Sequence, residues 1–203
     1  MKLVLFDLDG VLVDAVKLHK DAFAQSVRKV SGVTIHDDFH ESELNGLPTK
    51  TKLDLLVRRK IIKAEHVEPI SDMKQSITME LIKADIKHDP QKVALIRALR
   101  ADGIHVGCVT NSIRDSARLM LSKIGVLQDL ELVISNQDIK SPKPHPEGYW
   151  CAMIHFGIMP ADTLIVEDAP KGVEAAKASG AHVWHVAGPH QVTWMNMAKE
   201  LSK

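Results

Sequence analysis

Two aspartates one residue apart, Asp7 and Asp9, follow the short apolar run Leu3-Val4-Leu5-Phe6 and precede Gly10. Residues two apart on a strand point the same way, so the pair projects together from the end of that run. Burying two like charges side by side is costly unless a cation or a proton neutralises them. Folding alone gives no reason for the placement; metal binding or proton transfer does. A solvated Asp-Gly turn is the competing reading. Three more polar groups end or follow apolar runs: Thr110-Asn111 after Ile104–Val109, Lys143 in the loop Lys140-Ser141-Pro142-Lys143-Pro144-His145-Pro146, and Glu167-Asp168 after Thr163–Val166.

The elements that must carry these residues are legible from periodicity. Short apolar runs at 3–8, 104–109, 130–134, 163–166 and 182–186 read as strands buried on both faces. Helical spacing separates them: Val93, Ile96 and Leu99 after the start signal Asp89-Pro90, then Ile113, Ala117, Met120 and Ile124 up to Gly125. Ser112, three residues before Asp115, reads as the N-cap of the latter helix. Helices bearing Tyr149, Met153 and Phe156, then Val173, Ala175 and Ala176, follow, and the tail from Thr193 is expected to be helical. Between 15 and 88 no strand is expected. Helices there cover Val16–Val30, about 52–63, and the stretch after Pro69, while residues 33–50 are polar and irregular with Asn45-Gly46 and Pro48 as turn signals.

Strands alternating with helices imply an α/β fold with a doubly wound parallel sheet. Residues 1–14 and 89–203 form its core, and residues 15–88 are an inserted all-helical unit. Right-handed crossovers put every strand's C-terminal end on one edge, where such folds bind ligands. Asp7, Asp9, Thr110, Asn111, Lys143, Glu167 and Asp168 all fall on that edge, which argues against the solvated turn.

Composition bounds the rest. The chain has 203 residues, 45% of them apolar, and a formal net charge of zero. A packed core is expected, and a nucleic-acid or membrane-surface protein, which needs a basic excess, is not. Met1 runs straight into a strand without a signal-peptide pattern, and no apolar stretch has the length of a bilayer span, so a cytoplasmic protein is the simplest expectation. Cys108 and Cys151 are both expected to be buried packing residues. The eleven histidines include no HExxH and no Cys/His zinc spacing.

The polar groups, in order, resemble four motifs of the haloacid dehalogenase superfamily, in the branch with a helical cap inserted after the first strand. Phe6-Asp7-Leu8-Asp9-Gly10-Val11-Leu12 is similar to the first, Val109-Thr110-Asn111 to the second, Lys143-Pro144-His145-Pro146 to the third, and Val166-Glu167-Asp168-Ala169-Pro170-Lys171-Gly172 to the fourth. The resemblance implies a magnesium-dependent phosphatase acting on a small phosphorylated metabolite, such as a sugar phosphate or phosphoglycolate, through an aspartyl-phosphate. Asp7 would be the nucleophile and Asp9 the general acid and base. Mg2+ would take the Asp7 carboxylate, the Asp9 backbone carbonyl and Asp168, with Glu167 binding directly or through water. Thr110, Asn111 and Lys143 would hold the phosphate. Lys143, rather than Lys140, fits the third motif. Asp9 argues against dehalogenation, whose enzymes lack this second aspartate.

The cap would then choose the substrate, with His19 and the segment Asn45–Lys50, Thr49 and Lys50 included, as candidate contacts. Three alternatives stand beside the phosphatase. A sugar-phosphate mutase of the β-phosphoglucomutase type matches His19 but not Ala15 or Thr49. A receiver-like module phosphorylated on aspartate would share the acids, the threonine and the lysine. A phosphonoacetaldehyde hydrolase would need a cap lysine as Schiff base, for which Lys17, Lys20 and Lys50 are placed. Monomer and homodimer are both open.

Overall fold

A computed structural model of the chain describes residues 1–44 and 47–202. The expected turn at Asn45-Gly46 lies outside the described residues. In chain order the elements are β1 (Leu3–Phe6), α1 (Val16–Ser31), α2 (Asp37–Phe39), α3 (Thr49–Arg58), α4 (Val67–Asp85), α5 (Pro90–Ala101), β2 (His105–Val109), α6 (Arg114–Ile124), β3 (Leu132–Ile134), α7 (Glu147–Phe156), β4 (Thr163–Glu167), α8 (Pro170–Ala178), β5 (His182–His185) and α9 (Trp194–Leu201). They fall into two compact units, Met1–Ala15 with Ile86–Lys203, and Val16–Asp85. The return into the first unit comes three residues before the expected position 89. Ile86 is buried, and His88 lies against Gly125.

In the first unit five strands form one parallel sheet in the order β3-β2-β1-β4-β5. All four residues of β1 are fully buried, which is why its sequence is apolar throughout rather than alternating. Leu3 and Leu5 share one face with Val109, Ile134 and Ile165, packed against Tyr149, Ala152 and Met153 of α7 and Ala175 and Ala176 of α8. Alanines on α8 let that helix approach the sheet closely. In register, Phe6 lies beside Cys108 on one side and Val166 on the other. Asp7 is therefore the first residue past the centre of the sheet, level with Val109 and Glu167.

Helix ends follow their local chemistry. The Asp89 side chain accepts from the Gln91 and Lys92 amides at 2.9 and 3.1 Å, and Pro90 takes the first helical position, where a missing N–H costs nothing. Gly125 closes α6 at φ +92°, a left-handed conformation that glycine adopts without strain. The amine of Lys92, itself buried, donates to Pro189 O and Val192 O at 2.9 and 3.0 Å and ties the C-terminal segment to α5.

Several expectations need correction. α6 starts at Arg114 after Ile113, with no side-chain cap, so Ser112 is not its N-cap. Cys151 is exposed while Cys108 is buried. α7 is apolar nearly all round, so periodicity could not tell its covered side from its open one; Trp150 and Ile154 are exposed too. In the second unit α3 runs over Thr49–Arg58 rather than 52–63, and α4 begins before Pro69, which sits in its first turn. The stretch read as irregular contains α2 and a π turn at His40–Leu44. This unit has its own core of Phe23, Val27, Ile35, Leu44, Leu53, Leu56, Ile62 and Ile70.

Asp89→Ala leaves two amides at the start of α5 without their acceptor. Denaturant unfolding is expected to show a loss of about 1 kcal/mol, with Asp89→Asn close to wild type.

Candidate active site

The site grows from the C-terminal ends of the three middle strands. The Asp7 amide donates to Val166 O at 3.0 Å, continuing the β1–β4 ladder one residue further, and its side chain is nearly buried. Lys143 reaches the same place from the loop between β3 and α7. Its Nζ donates to Asp7 Oδ1 at 2.5 Å, to Glu167 Oε1 at 2.5 Å and to Val109 O at 2.8 Å. An ammonium has three hydrogens, and all three have acceptors. Burial works against the charged amine, but Asp7 and Glu167 outweigh it and leave Lys143 well above its ordinary range.

The loop that delivers Lys143 is itself held. Asn111 Oδ1 accepts from the Lys143 amide at 3.1 Å, and its Nδ2 donates to the Lys143 carbonyl at 3.2 Å. Both ends of this side-chain amide thus hold the lysine backbone, while the second Nδ2 hydrogen is left over for another acceptor. Glu147 accepts from the Lys140 and Ser141 amides. Lys140 is exposed. Thr110 is buried, and its Oγ1 accepts from the Ser112 amide at 3.0 Å.

Glu167 and Asp168 follow β4. Glu167 is fully buried and accepts from Lys143, from the Tyr149 hydroxyl at 2.7 Å and from the Asp168 amide at 3.1 Å. Two glycines mark how tightly these acids are enclosed. A side chain at Gly10, where φ is +88°, would overlap the Asp168 carboxylate, and one at Gly172 would overlap that of Glu167. Those close approaches account for glycine in Asp9-Gly10 and in Lys171-Gly172.

Asp7, Glu167 and Asp168 each offer an oxygen within 4.8 Å of the others. Three carboxylates against one ammonium leave an excess of two negative charges in a mostly buried place. Burial raises the Asp168 carboxyl to about 6, with Glu167 adding to the rise. Burial also lifts Asp7 well above the carboxylate range, against the pull of Lys143, with Glu167 and Asp9 adding to it. Among the described residues, the buried Asp168 Oδ1 has no hydrogen-bond partner. An all-oxygen donor set, a matching charge deficit and an unpartnered carboxylate oxygen fit a hard divalent cation of the magnesium kind.

Asp9 is outside that group of three but near enough to raise Asp7 and Asp168. Its Oδ2 accepts from the Ser112 hydroxyl at 2.6 Å. Ser112, read as a helix cap, instead serves this carboxylate; the same small hydroxyl suits either task, so its sequence context could not distinguish them. Tyr149 was equally hidden on an apolar helix face. The available signal was chemical, since a buried tyrosine needs a partner for its hydroxyl.

The remaining candidates belong to the second unit. His19 Nδ1 is 3.4 Å from Lys74 Nζ, Thr49 opens α3, and Lys50 is exposed. The same unit holds a half-buried lysine, Lys52. Its amine lies 3.4 Å from Nε2 of the buried His40 and 5.3 Å from the Phe23 ring centroid, and burial lowers it to about 8, with Lys74 adding to the fall.

With this geometry in view, comparison with known proteins is direct. The haloacid dehalogenase-like hydrolase family profile matches residues 4–186. Validoxylamine A 7'-phosphate phosphatase of Streptomyces hygroscopicus subsp. limoneus is 30% identical over 188 residues, covering 88% of this chain and 82% of its own. Hexitol phosphatase A of Escherichia coli is 30% identical over 197 residues, 95% and 86% of the two chains. Beta-phosphoglucomutase of Bacillus subtilis is 26% identical over 187 residues, 89% and 80%. A solved structure of a family IA, variant 3 HAD hydrolase from Entamoeba histolytica superposes with a TM-score of 0.83 at 20% identity, over the whole of both chains. The buried acids and lysine at the sheet edge therefore stand in an enzyme, and the chain belongs to the haloacid dehalogenase-like hydrolases.

Proposed function

We propose that this hydrolase is a magnesium-dependent phosphatase that cleaves a small phosphorylated metabolite through an aspartyl-phosphate on Asp7. The observation that carries the reading is the Lys143 ammonium bonded to Asp7 and Glu167 beside the unpartnered oxygen of Asp168. A cation and a fixed lysine next to one buried carboxylate suit a reaction in which charge builds on phosphoryl oxygens. Named phosphatases among the relatives support the same class.

In this reading Asp7 attacks phosphorus as the carboxylate, and the ester P–O bond breaks. Asp9, as the carboxylic acid, gives its proton to the departing alkoxide. It then takes a proton from the water that attacks phosphorus in the acyl phosphate, which frees inorganic phosphate and restores Asp7. Ser112 holds Asp9 by one oxygen and so limits its rotation. Lys143 keeps Asp7 oriented, and Asn111 keeps Lys143 in place. Thr110 is assigned to a phosphoryl oxygen. Asp7, the Asp9 carbonyl and Asp168 would hold Mg2+, which supplies charge neutralisation at the phosphoryl group. Choice among metabolites is assigned to the helical insert, with His19, Thr49 and Lys50 as its candidates.

Asp7→Asn is expected to reduce magnesium-dependent release of phosphate from p-nitrophenyl phosphate by about ten-thousandfold. Turnover that survives this change sinks the nucleophile. Activity should need no bisphosphate activator; a requirement for one would favour a mutase instead. A stable phospho-Asp7 without turnover in the wild type would favour the receiver-like module. Chelation should abolish turnover, and Mg2+ at a hundredfold over its Kd should raise the unfolding free energy by about 2.7 kcal/mol. Ser112→Ala should lower kcat about fivefold, as expected for one lost hydrogen bond to a catalytic group. In an Asp9→Asn background the same change should have little further effect on single-turnover rates.

A further inference from the structure

Tyr149 is the chain's one tyrosine, and it is almost wholly buried on α7. Its hydroxyl donates to Glu167 Oε1 at 2.7 Å, and its ring centroid lies 5.0 Å from Lys143 Nζ. Oε1 also accepts from Lys143 at 2.5 Å, and Oε2 from the Asp168 amide at 3.1 Å. A carboxylate oxygen has two lone pairs, so Oε1 is fully occupied and Oε2 half occupied. Asp168 Oδ1, by contrast, has no partner among the described residues. The two adjacent acids therefore face different tasks, although the sequence presents them as equals.

We infer that Tyr149 is a positioning residue that keeps Glu167 turned towards Lys143 and out of direct contact with the bound cation, leaving Asp7 and Asp168 as the side-chain ligands. The inference rests on the divalent-cation reading of the site. Burial keeps the phenol protonated and so keeps it a donor. Without that donor, Oε1 would carry a bare lone pair in a place closed to water. The strongest acceptor-seeking group nearby would then be the cation. A third carboxylate would reach it, while Lys143 would lose the fixed position of one of its three acceptors and hold Asp7 less firmly. Ca2+, which accepts more ligands in looser geometry than Mg2+, would gain more from the extra carboxylate.

Titration calorimetry on the whole chain without substrate tests this with Mg2+ and Ca2+ as probes. For Tyr149→Phe the Mg2+ Kd should fall about fivefold and the Ca2+ Kd at least about tenfold, while kcat falls about tenfold at nearly constant KM. The opposite movement of binding and turnover is what a merely packing residue would not produce. In a Glu167→Gln background, Tyr149→Phe should change neither Kd. Global incorporation of 3-fluorotyrosine labels this site alone and needs no loss of packing volume. The more acidic phenol is a stronger donor, so both cations should bind more weakly. Unchanged constants in Tyr149→Phe and in the fluorotyrosine protein, or equal changes with and without Glu167, overturn the role of Tyr149. A wild-type protein that binds no Mg2+ overturns the cation reading itself, and the inference with it.

Discussion

The ammonium of Lys143 has three hydrogens and three buried acceptors, and the sheet edge is built around that match. A lone buried carboxylate is driven to take up a proton, and a lone buried ammonium to give one up. Joined, they hold each other charged, yet a single ammonium cannot balance Asp7, Glu167 and Asp168 together. The remainder is charge that a bound cation could neutralise. Removing one partner would leave charge stranded in a closed setting, a cost of about 3–5 kcal/mol in comparable buried pairs.

Keeping the charges in register falls to the backbone. Asp7 and Glu167 leave adjacent parallel strands at the same level, because Phe6 pairs with Val166. Lys143 comes from a loop with no ladder to fix it. Asn111 takes over that function with two bonds to the lysine's main chain, so the second strand's end also sets the third element's position. Gly10 and Gly172 remove the side chains that would otherwise push the acids apart.

Much of this was legible in the sequence because it follows from periodicity. Short apolar runs ended by polar residues mark the parallel sheet and the edge where those polar residues gather, and Asp89-Pro90 marks a helix start that the structure repeats. What stayed hidden depends on which way a side chain turns. Ser112 could cap a helix or hold Asp9 with the same hydroxyl, and only the fold brings Asp9 to it. Tyr149 looked like core and is core, but its oxygen serves Glu167. Asn111 carries no sequence mark of its two bonds to the Lys143 main chain. Cys151 was misjudged because α7 is apolar on all sides, and a helix without a polar stripe carries no mark of its open face.

The strand that carries Asp7 has an awkward place in the order of synthesis. Leu3 pairs with His105 on one side and with Thr163 on the other. On a ribosome, the apolar segment Leu3–Phe6 emerges before either partner: one edge stays bare until β2 has been made and the other until β4. The intervening helices have a core of their own and can settle first, but they give this segment no partner strand. Long-range parallel pairing of this sort is slow and leaves sticky edges exposed during folding. Asp7, at the end of this strand, is thus fixed only when strands made a hundred residues or more later have joined β1 on its two sides.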